Sequence, residues 1–271
     1  MPTVDEIYEA VKNATCKKAY QIETEKSDNL TIFDSKFGGL PYWDLSQEFP
    51  KDNQGLQLNL LAQINFDKEN LDNDALPKKG LLQFFISTND DMYGMLYKEP
   101  DKQMNFRVVY HENVNYEVTE DEIRNNGIKT FKDVLPKYNA PFTDAYKITF
   151  KEIDSVINIG NRNFGPVVSE ILKEKFNVIV DPRKVESYLD EIDKDFYRKF
   201  SSCGHKLLGY PFFTQSDPRY RQYEKYDTLL LQIDSDGDIM WGDSGIANFF
   251  INKDDLKNKD FSNILYNWDC C

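Results

Sequence analysis

Five residues late in the chain combine side chains suited to lining a binding cleft: Gln215, Asp217, Arg219, Trp241 and Asp243. An amide, two carboxylates and a guanidinium can orient a polar ligand while one indole covers its apolar part. The same residues also have a plainer reading. Asp217-Pro218-Arg219 has the form of a turn closed by a local ion pair, and Trp241 is large enough to belong to the core. Asp217, Asp234 and Asp243 would supply the acid and base of a hydrolase if two of them converged in a concave site with unequal surroundings.

Other chemistries fail on spacing. Asp234, Asp236 and Asp238 resemble the start of a calcium loop, but such a loop needs Gly sixth and Glu twelfth. Those positions hold Ile239 and Gly245, so Asp236-Gly237 is expected to be a hairpin turn. His111 and His205 are far apart in the sequence, and Cys203 beside His205 is too small a set for zinc or an activated thiolate. The cysteines Cys16, Cys203, Cys270 and Cys271 include no Cys-x-x-Cys pair. Gly237, Gly242 and Gly245 match neither a Walker loop nor a dinucleotide fingerprint. No metal and no cofactor are expected.

The elements that must position these residues follow from composition and patterning. The chain has 271 residues, and 14% aromatic content supplies a core and favours strands over disorder. A net charge of -13 with no basic stripe argues against nucleic acid and against an anionic membrane surface. It suits solubility, or steering of a basic partner. The N-terminal stretch lacks the apolar segment of a signal peptide, and reduced thiols fit a cytoplasmic setting.

Two stretches repeat one pattern. Gly39, Pro41 and Tyr42 are echoed by Gly209, Pro211 and Phe212, Gln63-Ile64 by Gln232-Ile233, and the glycine before Phe-Phe-Ile recurs at Gly80 and Gly245. The offsets of 170, 169 and 165 residues lie nearly on one diagonal, which indicates an internal duplication. The expected fold is a single α+β domain over residues 1–271. It is mostly antiparallel sheet, with two pseudo-twofold related strand units over 30–111 and 207–251 and a helical middle over 115–200.

In chain order, apolar residues at helical spacing predict an N-terminal helix over 3–19, capped by Thr3. Strands are expected at 20–24, 30–33, 56–66 and 81–87, and as a hairpin at 92–97 and 106–111. A capping signal opens a short helix over 119–126, and a helical turn is expected over 131–138. A strand at 146–153 precedes helices at 166–176 and 182–200, each opened by proline. The second unit follows over 207–251. Phe261, Ile264, Leu265, Tyr266 and Trp268 then predict a tail that packs on the body.

Several of these stretches together resemble the YwqG-like family. In the first half they are Gly38-Gly39-Leu40-Pro41-Tyr42-Trp43, Leu61-Ala62-Gln63-Ile64-Asn65 and Leu76-Pro77-Lys78-Lys79-Gly80 running on to Phe85. In the second they are Leu208-Gly209-Tyr210-Pro211, Gln215-Ser216-Asp217-Pro218-Arg219, Gln232-Ile233-Asp234 and Met240-Trp241-Gly242-Asp243-Ser244-Gly245, ending with Leu265-Tyr266-Asn267-Trp268-Asp269-Cys270. The resemblance spans most of the chain in order. It implies a bacterial cytosolic protein, and it brings no catalytic residues with it.

Three functional expectations follow. The first is a non-catalytic binding or protein-interaction module, with an immunity-type role against a basic toxin as one form. The second is the hydrolase using Asp217, Asp234 and Asp243. The third is a small-molecule binder with a pocket at the pseudo-axis, walled by Tyr42, Trp43, Phe212 and Phe213.

Overall fold

Thr3 sets the first element by a reciprocal cap: Glu6 donates its N–H to the Thr3 hydroxyl at 3.2 Å, and Thr3 returns its N–H to the Glu6 carboxylate at 2.8 Å. Helix α1 (Val4–Thr15) follows and buries Val4, Ile7 and Val11 on one side. The computed structural model describes residues 1–134 and 140–271. After α1 come strands β1 (Lys17–Lys26), β2 (Lys36–Phe37), β3 (Asn59–Asn65), β4 (Leu81–Ile86) and β5 (Phe106–His111). Next are α2 (Glu120–Asn125), β6 (Tyr146–Ser155), α3 (Phe164–Phe176), α4 (Val185–Ile192) and α5 (Phe196–Lys199). The chain ends with β7 (Lys206–Leu207), β8 (Thr228–Asp234), β9 (Ile246–Ile251), α6 (Lys253–Lys257) and β10 (Ile264–Asp269).

All ten strands form one sheet in the order β10-β9-β8-β7-β1-β6-β2-β3-β4-β5, and every pair is antiparallel. Outward from the central β1–β6 pair, strand lengths match on both sides. The connectivity crosses over: β2 pairs with β6 rather than with β1, and β7 pairs with β1 rather than with β6. A bulge interrupts β3 between Leu60 and Ala62, and another interrupts β8 between Leu229 and Leu231.

The sheet curls into a nearly closed barrel. Phe84 of β4 lies 5.0 Å from Phe249 of β9, and Phe106 of β5 lies 5.2 Å from Tyr266 of β10, ring centre to ring centre. These rings fill one interior core, where each fully buried large apolar side chain contributes roughly 1.5–3 kcal/mol. The seam between β5 and β10 is closed by the chain before β5. Tyr266 donates its N–H to the Pro100 carbonyl at 2.9 Å, and Gln103 accepts from the Val108 N–H at 2.7 Å. Unpaired strand edges invite association, and this segment covers both.

Outside the barrel, α1, α3, α4 and α5 bury a second core against the ends of the central strands. The connections after β2 and β7 fold over the outer faces of their own halves and bury two smaller clusters. Among the described residues no helix is long and apolar enough to cross a membrane.

Several sequence expectations are corrected. Residues 30–33 and 92–97 are turns rather than strands, because both lie in connections whose carbonyls serve side chains or the seam. The helix expected over 182–200 is broken into a 3-10 turn (Pro182–Lys184), α4 and α5, with Asp193 extended at φ -151. The turn expected over 131–138 is a 3-10 turn at Phe131–Asp133, and its remainder lies mostly outside the described residues. The mostly helical stretch 115–200 also carries β6, one of the two central strands. Strands β1, β6 and β10 lie outside the units expected over 30–111 and 207–251.

Candidate functional site

The connection after β7 opens with Leu208 at φ 61 and Gly209 at φ 79. Gly209 has no room for a side chain, since a Cβ there would meet Ser155 Oγ at 2.5 Å. This bend throws the chain across the outer face of β8–β10. There Phe212 donates its N–H to Gln232 Oε1 at 2.7 Å, and Thr214 donates its N–H to Asp269 Oδ1 at 2.9 Å. Burial raises the Asp269 carboxyl above the usual range, against the opposing effect of its Thr214 hydrogen bonds.

The same connection then turns through Asp217 and Arg219. The guanidinium grips the carboxylate with two bonds of 2.9 and 2.8 Å and stacks 4.4 Å over the Phe250 ring. Both side chains are buried, at 8% exposure for Arg219 and 2% for Asp217. A fork held this way is fixed in direction, as a lysine would not be.

Arg162, from the turn before α3, donates to the Arg219 carbonyl and sits 3.4 Å from Glu224. Its side chain stands between two adjoining cavities. The inner one, about 240 Å³, is lined by Lys17, Asn161, Arg162, Tyr210, Arg219 and Asp227, among others. The outer one, about 540 Å³, takes Asn161, Arg162, Arg183, Gln215 and Asp217 into its walls. Lys17, at the start of β1, places its amine 4.4 Å above the Tyr210 ring. Partial desolvation lowers the Lys17 pKa, and the nearby Arg219 charge lowers it further. Charges of both signs therefore meet here, with Lys17 outside any ion pair among the described residues.

The five residues expected at a site divide. Gln215 and Asp217 line the outer cavity and Arg219 the inner one. Trp241 does not reach the cleft: it is 0% exposed inside the barrel, 5.6 Å from Tyr93. Asp243 is exposed, and its carbonyl accepts from the Cys271 N–H at 3.2 Å. Gln215 donates to the Cys270 carbonyl at 2.8 Å, so Gln215 and Asp243 hold neighbouring residues of one tail.

The other chemistries gain no geometric support. Asp217 serves Arg219, Asp234 accepts from the Gly204 and Ser235 N–H groups at 2.6 and 2.8 Å, and Asp243 sits by the tail. No hydrogen bond joins any two of the three among the described residues. Asp236 and Ile239 close the expected tight turn with a pair of 2.9 Å bonds. All four cysteines are free thiols. Among the described residues no group of three or more His, Cys, Asp or Glu side chains could hold a metal ion.

Three of the four rings expected around a pseudo-axis pocket fall in separate clusters. Tyr42 and Trp43 pack edge-on against His111 in one cluster, at 5.2 and 5.1 Å. Phe213 packs on Phe250 in another cluster, so these rings do not wall a common pocket.

Sequence reasoning missed Lys17, Asn161 and Arg162. The only signal was the polar run Asn161-Arg162-Asn163 wedged between Gly160 and an apolar helix.

No curated relative matches the chain. A family match does exist, and it takes in all of the sheet except β1, together with the whole connection that carries Asp217 and Arg219. The chain therefore belongs to the family described as Domain of unknown function (DUF1963), which matches residues 35–270.

Proposed function

We propose that this protein is a non-catalytic binding module, and that the cleft on either side of Arg162 receives a small anionic molecule such as a mono- or dicarboxylate. The observation that carries this reading is the cation set of the inner cavity, three cations against the two carboxylates Glu224 and Asp227. Lys17, which forms no ion pair among the described residues, faces the same space as Arg162 and Arg219. On a chain of net charge -13, an anion needs such a local concentration of positive charge to approach at all. The Arg219 fork is committed to Asp217, which leaves Lys17 and Arg162 to contact the ligand. Glu224 is the internal group that a bound carboxylate would replace beside Arg162.

Calorimetric titration with acetate, succinate, citrate and inorganic phosphate tests this. Binding by the native protein that weakens about ten-fold or more in both Lys17→Met and Arg162→Ala supports it. Absence of binding across the set, or equal affinity in the variants, would overturn it.

We further read the family match as YwqG-like membership, supported by the two glycine-proline turns and their downstream glutamines. Free thiols support a reduced, cytoplasmic setting. Matching strand lengths, the two bulges and the rows Lys36-Gln63-Gln83 and Lys206-Gln232-Asn248 support descent of the two halves from one duplicated unit. Aligning the halves across family members tests that descent. Unrelated residue preferences at these six positions would count against it.

A further inference from the structure

Lys206 lies on β7 with 2% exposure, and both of its hydrogen bonds go to Ser202, one to the carbonyl and one to the hydroxyl oxygen. The Ser202 hydroxyl gives its own proton to the Tyr210 carbonyl at 3.2 Å, so toward Lys206 it can only accept. Among the described residues no carboxylate pairs with this amine. An ammonium has three N–H groups, and two acceptors leave the third without a partner among the described residues. A neutral amine spends both of its N–H groups on Ser202 and keeps a lone pair. Burial accordingly lowers the Lys206 pKa to about 7.

Lys206 and its partner Ser202 both line a cavity of about 190 Å³ between α1, β6 and the chain leading into β7. The other titratable groups on its walls are Tyr8, Asp154, Lys199, Cys203 and His205. Asp154 is already paired with Lys12 at 3.0 Å, and Lys199 with Asp5. His205 accepts the Asp234 N–H on Nδ1 at 3.0 Å and packs 5.5 Å from the Phe37 ring. The cavity thus presents one buried amine, the His205 imidazole with its Nε2 unpartnered among the described residues, and, in Cys203, one free thiol. The first half holds an internal comparison: Lys36 occupies the matching place on β2, equally buried and likewise bonded to two acceptors, the Thr31 and Leu40 carbonyls, but its stem lies under Gly39.

We propose that Lys206 is a covalent site for a small aldehyde or ketone, held as an imine in this cavity. The Nζ lone pair adds to the carbonyl carbon, and the carbonyl oxygen takes up a proton to give a carbinolamine. That hydroxyl then leaves as water with a proton lost from nitrogen, and the C=N bond forms. The step consumes amine and carbonyl and yields imine and water, with no oxidation or reduction. Cys203 is a competing nucleophile whose adduct would be a thiohemiacetal rather than an imine.

The test treats the full chain with butanal and cyanoborohydride near neutral pH and maps the modified peptides by mass spectrometry. The expected result is alkylation of Lys206 about ten-fold or more faster than of Lys36 and of exposed lysines such as Lys98. In Lys206→Met the fastest adduct disappears, while in Cys203→Ser it persists. Labelling of Lys206 no faster than of the other lysines would overturn the proposal, as would equal labelling of Lys36. Both of those outcomes are read on the unmodified sequence, so the test stands even if the methionine variant does not fold.

Discussion

Gln63 and Gln232 make matching sets of three bonds in opposite halves of the sheet. Each accepts the N–H of an aromatic residue after a Gly-x-Pro turn, at 3.2 Å from Tyr42 and 2.7 Å from Phe212. Each donates to two carbonyls of the connection before the short strand: Ile32 and Asp34 for Gln63, Ser202 and Gly204 for Gln232. One amide thereby fastens two connections to the barrel wall, and it does so while fully buried.

Replacing either glutamine by leucine strands those backbone groups in a dry place. Each variant should lose roughly 3 kcal/mol in chemical denaturation. Gln63→Leu should lose more, because Gln63 also accepts from Gln83 at 2.7 Å. Equal or negligible losses would show that water replaces the amide.

His111 predicts the acid limb of stability. Burial lowers its pKa to about 4, with Asp44 opposing weakly, while the unfolded value is 6.5. Its folded value is thus depressed, so the unfolded chain binds the proton first as pH falls. Stability should drop by about 3 kcal/mol between pH 6.5 and 4 from this group alone. His111→Gln should flatten that limb, measured as the denaturation midpoint against pH.

Lys36 and Lys206 act in the same direction at higher pH. Both are lowered to about 7 from 10.5 by burial, so the unfolded chain holds more protons between those values. Stability should rise by about 2 kcal/mol per lysine between pH 7 and 9. A denaturation series over that range in the native protein and in Lys36→Met reads the difference.

Asp217 and Arg219 differ from a surface pair in what their loss costs. Arg219→Met leaves a carboxylate buried without its partner and should destabilise by about 3–5 kcal/mol. The double variant with Asp217→Asn should recover part of that loss in thermal unfolding. A full loss in the double variant would mean that stacking on Phe250, rather than the charge pair, is what holds the connection.

The legible parts of this fold were those with a one-dimensional signature. Leu81–Ile86 and Ile246–Ile251 are buried along their whole length, so they read as continuous apolar runs. Lys36–Phe37 and Lys206–Leu207 are two residues long and carry a lysine, which no periodicity can mark. The break at Asp193 was hidden because Phe196 and Phe200 resume the buried face that Val185 and Leu189 begin. At the site, the Asp217–Arg219 turn was readable because its partners are two residues apart. Lys17 joins Arg162 and Arg219 only through long-range packing, and Trp241 has the same letter whether it lines a cleft or fills a core.

Gly80 and Gly245 test the tightness of that packing. A Cβ would lie 2.3 Å from the His111 carbonyl at the first and 2.2 Å from the Asp269 carbonyl at the second. Alanine should cost about 3 kcal/mol at each, against about 1 kcal/mol at the open positions Gly55 and Gly237. Thermal shifts of the four variants give the comparison.

The crossed pairing of β1 has a consequence for the order in which the chain is made. Its neighbours begin at Tyr146 and Lys206, so a nascent chain leaves the ribosome with Tyr20 and Ile22 exposed and both edges of β1 unpaired. The sheet cannot close around its own centre until most of the polypeptide has been synthesised. A ribosome stalled in the middle of the message would therefore release a product with an open strand.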